Sequence, residues 1–131
     1  MVETDLIPKI WPEVRELIGD ALKHAQGDGV SPDVLLPDLL NEDLGMLLVT
    51  DHDRIRMVMV FGIERTTITK FCIHILAGDD MQEWFDWAWP KVQGVAELVG
   101  AECIEASCRP GMAKLLKKRG WKQQAVIMRI Q

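Results

Sequence analysis

Thr67-Ile68-Thr69-Lys70-Phe71-Cys72-Ile73-His74-Ile75-Leu76-Ala77-Gly78-Asp79-Asp80-Met81-Gln82 is the stretch whose reading decides how this chain is built. Up to Ala77 the residues alternate with a period of two. Thr69, Phe71, Ile73 and Ile75 share one face and Lys70, Cys72, His74 and Leu76 the other, which predicts a strand over Thr67–Ala77. From Met81 the period lengthens to that of a helix. Gly78-Asp79-Asp80 is therefore a strand-to-helix turn, where free backbone N–H groups and the positive end of a helix dipole converge. Turns of this kind hold phosphates. This one carries two carboxylates, which cap the helix well and repel a phosphorylated ligand.

Working outward, Ile55–Glu64 and Met46–Thr50 read as two further strands. They are separated by the polar turn Asp51-His52-Asp53-Arg54 and joined to the third strand by a tight turn at Arg65-Thr66. Turns this short require an antiparallel meander. Upstream, Ile10–Ala25 has helical spacing with Pro12 in its first turn, and Gly27-Asp28-Gly29 ends it. Ser31-Pro32-Asp33 reads as an N-cap followed by proline. It opens a short helix broken by Pro37 and continuing to Asn41, or two helical turns joined by a bend.

Downstream, Met81–Val99 is a helix with Phe85, Ala88, Val92, Ala96 and Val99 as its core stripe, a kink expected at Pro90, and Gly100 as its stop. Glu102–Cys108 reads as a strand, Gly111–Arg119 as a basic helix ending at Gly120, and Ala125–Ile130 as a last strand with Val126, Met128 and Ile130 on one face. The order is α-α-β-β-β-α-β-α-β, a mixed α/β fold in one domain over residues 1–131. The helix crossover makes strands three and four a parallel pair.

At 131 residues, 48% hydrophobic and 27% charged, the chain is long enough for a core of its own and ordinary in composition. It has no apolar run of bilayer-spanning length, and its acidic N-terminus is unlike a signal peptide, so the expected location is the cytoplasm of the producing cell. Three cysteines, Cys72, Cys103 and Cys108, make no disulfide framework and are expected as reduced thiols. The net charge of −5 conceals a gradient. Residues 1–51 carry eleven acids against three bases, whereas residues 103–131 carry one acid, Glu105, against seven bases. Overall acidity disfavours nucleic acid as a partner, so the simpler reading is attraction between the two ends or between neighbouring subunits.

Ala113-x-x-Leu116-x-x-x-Gly120-Trp121, a short helix followed by Gly, an aromatic and a last strand, resembles the closing pattern of the GNAT acyltransferase superfamily. The strand Cys103-Ile104-Glu105-Ala106-Ser107 and the long helix before it fall in register with that pattern. Trp11 at the first helix, the Trp-bearing third helix, Ile104-Glu105 and Arg109-Pro110-Gly111 make the chain similar, more closely, to the small GNAT-like proteins of tailed bacteriophages. The resemblance covers nearly the whole chain.

It implies a coenzyme A pyrophosphate on a Gln/Arg-x-x-Gly-x-Gly/Ala turn, which here is Gly78-Asp79-Asp80-Met81-Gln82, with no second glycine and two acids. It also implies a tyrosine general acid in the closing helix. Leu116 stands four residues before Gly120, and the chain contains no tyrosine, which leaves water or Cys108 in that role. From these departures the expectation is a phage-type structural or accessory protein without acetyltransferase activity and without a cofactor. Its partners would be protein subunits of a virion head, tail or ejection apparatus. The alternative is an acetyl-coenzyme A-dependent N-acyltransferase with a divergent phosphate turn, and a third reading is an acidic inhibitor or adaptor of a host protein.

Candidate residues follow from both sources. The resemblance makes Glu64, at a strand end, a base that deprotonates an amine through water. Lys114, Lys117, Lys118, Arg119 and Lys122 form a basic segment able to hold the adenosine 3′-phosphate of coenzyme A; simple stabilisation of a helix C-terminus is the plainer reading. Trp84, Trp87 and Trp89 beside Phe85 are too many aromatics for one core stripe, so a protein contact is expected there. Cys72 and His74, two apart on one face, are a metal or nucleophile–base pair on the sharp reading and a packed thiol with a cross-sheet histidine on the plain one. No metal is expected. His52, between Asp51 and Asp53, belongs to a solvated turn.

Overall fold

The computed structural model describes residues 2–24, 31–52, 54–78, 81–108, 110–126, 128 and 130, with the backbone alone at residues 21–24, 81–84 and 110. Helix α1 spans Ile7–His24, α2 Leu36–Leu40, α3 Met81–Leu98 and α4 Pro110–Lys118; strands β1 to β4 are Gly45–Asp51, Arg54–Arg65, Thr69–Gly78 and Cys103–Ala106. The four strands lie in the order β1-β2-β3-β4. The first three form an antiparallel meander, and β3 and β4 run parallel, as the crossover through α3 requires. This is the mixed α/β, GNAT-like topology that the sequence predicts.

Each face of the sheet has its own core. On one, Ile7, Trp11, Val14 and Ile18 of α1, with Leu39 of α2, pack on Met46, Ile55, Val58 and Val60. On the other, Ala88, Val92 and Ala96 of α3 pack on Met57, Met59, Phe61, Phe71 and Ile73. Phe61 and Phe71 stack at 4.5 Å between centroids. Burying both faces stabilises a four-stranded sheet that a single layer of helices would leave half wet.

Several boundaries and one face assignment differ from expectation. Helix α1 begins at Ile7 because a single helical turn, Thr4–Leu6, leads into it; Pro12 thus lies inside α1 instead of opening it. The glycines after it lie outside the described residues. Ser31 caps as expected, its Oγ accepting from the Asp33 N–H at 3.3 Å. A tight helical turn, Pro32–Leu35, then precedes α2, and Pro37 sits in the first turn of α2, where its missing donor costs nothing, so it starts the helix and does not break it. Strand β3 starts at Thr69, since Thr66 N–H turns back to the Ile68 carbonyl at 3.1 Å. Helix α3 runs on through Pro90 and stops at Gly100, whose φ is +75°.

The alternation in β3 does not hold to its end. The register with β2 slips between Val60 and Phe61, which pair with Ile75 and Ile73 and leave His74 as the extra residue of a β-bulge. Past the bulge the faces exchange. Phe71, Ile73 and Leu76 belong to the α3 core, and Ile75 to the α1 core. The last predicted strand is also corrected. Ala125, Val126, Met128 and Ile130 join no strand, and Met128 and Ile130 are 85% and 96% exposed; Ile127 and Arg129 lie outside the described residues. The chain is instead tied down earlier, at Trp121, whose N–H donates to the Leu116 carbonyl and whose ring lies 5.2 Å from that of Trp89.

Candidate functional site

The parallel pair is short. Lys70, Phe71, Cys72 and Ile73 pair with Cys103, Ile104, Glu105 and Ala106, after which β4 ends and β3 continues as His74–Gly78. Among the described residues nothing pairs with that stretch on its β4 side, so its backbone N–H and C=O groups line a fork that opens at the carboxyl ends of the two strands. A crevice outside the carboxyl ends of neighbouring parallel strands is where open α/β sheets take ligands. Helix α3 leaves one prong and α4 follows the other.

Polar side chains gather on the α1 face of the sheet, beyond the apolar residues that α1 covers. Gly62 follows Val60 there and stands opposite Cys72, with Glu64 opposite Lys70. Because Gly62 has no side chain, His74 lies across it: a Cβ built on Gly62 would meet His74 Nε2 at 2.9 Å and Leu44 Cδ2 at 3.2 Å. Cys72 Sγ donates to Glu64 Oε2 at 3.8 Å along the diagonal between strands. Lys70 Nζ pairs with Glu105 Oε1 at 3.2 Å across to β4.

These contacts set the charges. Burial, then the nearby Glu64 and Glu105 carboxylates, push the Cys72 thiol up and keep it protonated as a donor. The hydrogen bond and charge of Glu105 raise Lys70. The Cys108 thiol, though exposed to solvent on one side, is likewise pushed up by its partial desolvation. All three cysteines are free thiols. Among the described residues no three His, Cys, Asp or Glu groups converge as metal ligands.

The predicted site residues fall into three places. Glu64 is exposed near the end of β2, level with Lys70 and beyond the bulge. Gly78 closes β3 at the fork, Asp79 and Asp80 lie outside the described residues, and Met81 and Gln82 open α3. Lys114 and Lys118 are exposed on α4. The tryptophans do not form one surface. Trp89 faces inward between Phe85 and Trp121, and Trp87 is 59% exposed with the Lys91 ammonium 4.7 Å from its ring centre; the Trp84 side chain lies outside the described residues. His52 is in an exposed turn with φ +49°. The cross-sheet histidine is half right: His74 crosses β2 over Gly62, yet bonds to no side chain among the described residues. Nothing in the sequence marks Gly62, since one glycine in a strand carries no signal until its neighbours are known. No described helix is long and apolar enough to cross a membrane.

No protein-family model matches the chain, and no curated protein sequence matches it. Solved structures do. A GCN5-related N-acetyltransferase from Ralstonia eutropha JMP134 superposes with a TM-score of 0.74 at 11% identity, over 93% of this chain and 92% of that one. An aminoglycoside acetyltransferase from an uncultured soil metagenomic sample, in complex with sisomicin, gives 0.69 at 11% identity over 99% and 92%. A ribosomal-protein-alanine N-acetyltransferase from Brucella melitensis biovar Abortus 2308 gives 0.68 at 10% over 93% and 94%. The shared feature is the GNAT fold. The expectation of a phage structural protein, and with it the adaptor reading, does not stand: acetyltransferases carry this fold among the matched structures, and none of these three is a virion component.

Proposed function

We propose that the protein is an N-acyltransferase that moves an acetyl group from acetyl-coenzyme A to an amine at the β3/β4 fork. The observation that carries this reading is the unpaired edge His74–Gly78, a row of backbone donors and acceptors facing the fork. An extended, amide-bearing arm such as that of coenzyme A can add to such an edge as a strand would. The fold shared with acetyltransferases supports the same assignment. Two acids in the Gly78-Asp79-Asp80 turn do not suit a pyrophosphate, so the turn contributes less to donor binding than strand edge and basic helix do. Lys114 and Lys118, exposed on α4, are the cations available to the donor's phosphates.

Acetyl-coenzyme A supplies a thioester, an acyl carbon already activated toward attack; as the amide C–N bond forms the C–S bond breaks, and the departing thiolate takes its proton from solvent. The chain's own task is to deliver a neutral amine. Most amines are ammonium ions at neutral pH and cannot attack until a proton leaves. Glu64, exposed on the α1 face and level with Lys70 where the β3/β4 pairing begins, accepts that proton through water reaching to the fork. Lys70, already paired with Glu105, does not compete for the Glu64 carboxylate by a direct bond.

The test is a thermal melt with added ligand. A ligand that binds the native state alone raises the melting temperature, by about 2.7 kcal/mol of stability at a hundredfold excess over its Kd. Acetyl-coenzyme A at millimolar concentration is expected to raise Tm, and adenosine diphosphate, which lacks the arm, to raise it much less. No shift with acetyl-coenzyme A would overturn the proposal.

A further inference from the structure

We propose that Cys72 is a positioning residue whose thiol holds the Glu64 carboxylate in place as the site's proton acceptor. This rests on the acyltransferase reading. Glu64 stands near the end of β2 in an exposed position, where a long, unbranched side chain has several rotamers and no packing to choose among them. Its Oε2 accepts from Cys72 Sγ at 3.8 Å.

The strand register explains how that contact arises. Directly opposite Cys72 stands Gly62, which offers the thiol no side chain; the next residue on the same face of β2, along the diagonal, is Glu64. The His74 imidazole lies over Gly62, where a side chain would otherwise stand. Lys70, opposite Glu64 in register, would be the natural cross-strand partner of that carboxylate. It is drawn instead to Glu105 on β4 at 3.2 Å. A weak neutral donor thus replaces a cation at Glu64. A carboxylate held by a thiol keeps its charge and most of its acceptor capacity for a proton, whereas an ammonium pair would occupy both. The raised pKa of Cys72 keeps the S–H present across the neutral range.

Two measurements on the full chain test this, one of them independent of turnover. Alkylation of Cys72 by iodoacetamide, followed peptide by peptide in a mass spectrometer, reports its thiolate fraction. Glu64→Gln removes the neighbouring negative charge and is expected to speed alkylation of Cys72 several-fold while leaving Cys108 unchanged. An unchanged Cys72 rate means that thiol and carboxylate do not meet, and overturns the proposal whether or not the protein is an enzyme. In acetyl transfer, Cys72→Ala is expected to lower kcat roughly tenfold, the order of a lost hydrogen bond to a charged group, with the KM for acetyl-coenzyme A unchanged. Cys72→Ser, which restores a donor, regains most of it. Equal losses in the alanine and serine variants, with wild-type melting temperatures, would show a packing role and overturn the proposal. A wild-type protein that transfers nothing contradicts the acyltransferase reading, and the alkylation result still decides the contact.

Discussion

Gly45 stands opposite Phe61, and a Cβ there would overlap the phenyl ring. The ring belongs to the stacked Phe61–Phe71 pair in the α3 core, so moving it disturbs that stack. Gly45→Ala should therefore cost about 1–3 kcal/mol, the range for overpacking a well-filled core, read as a fall in Tm. Asp33 offers a pH test at the same scale. It accepts from Arg15 Nε at 2.9 Å, Arg15 Nη2 at 3.1 Å and Trp11 Nε1 at 3.2 Å, and these bonds hold its carboxyl below the usual range. A lowered folded pKa contributes stability above the unfolded value of about 3.9, and that contribution is lost as pH falls through the folded value. The Tm gap between the wild type and Asp33→Asn should be small, since the pair is exposed, and should close on acidification below about pH 4. A gap that does not narrow would contradict the assignment.

At the scale of elements, Trp121 holds the end of α4 against α3 through Trp89, while Arg119 reaches Asp86 at 2.7 Å. Trp121→Ala should lower stability by about 2 kcal/mol, less than a fully buried tryptophan because the ring is half-buried. If Tm were unchanged, the clasp would have no energetic role. Most elements were legible because their periodicity is strong: the meander, α3 and the parallel pair follow from spacing and turn length alone. What escaped was set by tertiary context. The bulge at His74 exchanges the faces of β3 in mid-strand, and no local residue marks it. Val126, Met128 and Ile130 alternate as a strand does, yet a strand needs a neighbour, and none of the described strands accepts them. The site was legible in part. Glu64 stands out in the sequence by its place at a strand end, whereas its link to Cys72 follows from the β2/β3 register, which spacing along one strand does not reveal.

For the molecule as a whole, the acids of the Gly78-Asp79-Asp80 turn oppose a polyanionic donor brought to the fork. Asp79→Gly with Asp80→Asn removes both charges. A charge near a phosphate in water is worth about 1 kcal/mol at low salt, so the pair should tighten acetyl-coenzyme A binding roughly tenfold or more, with the gain shrinking as salt is added. Unaltered affinity would place the phosphates elsewhere. Acyl transfer to an amine at the β3/β4 fork, with Glu64 as proton acceptor, can be measured by incubating the protein with acetyl-coenzyme A and a panel of primary amines and weighing the products. Protein-dependent acetylation of at least one amine is expected, lowered roughly a hundredfold by Glu64→Gln. Acetylation no faster than in the protein's absence, for every amine offered, would contradict it.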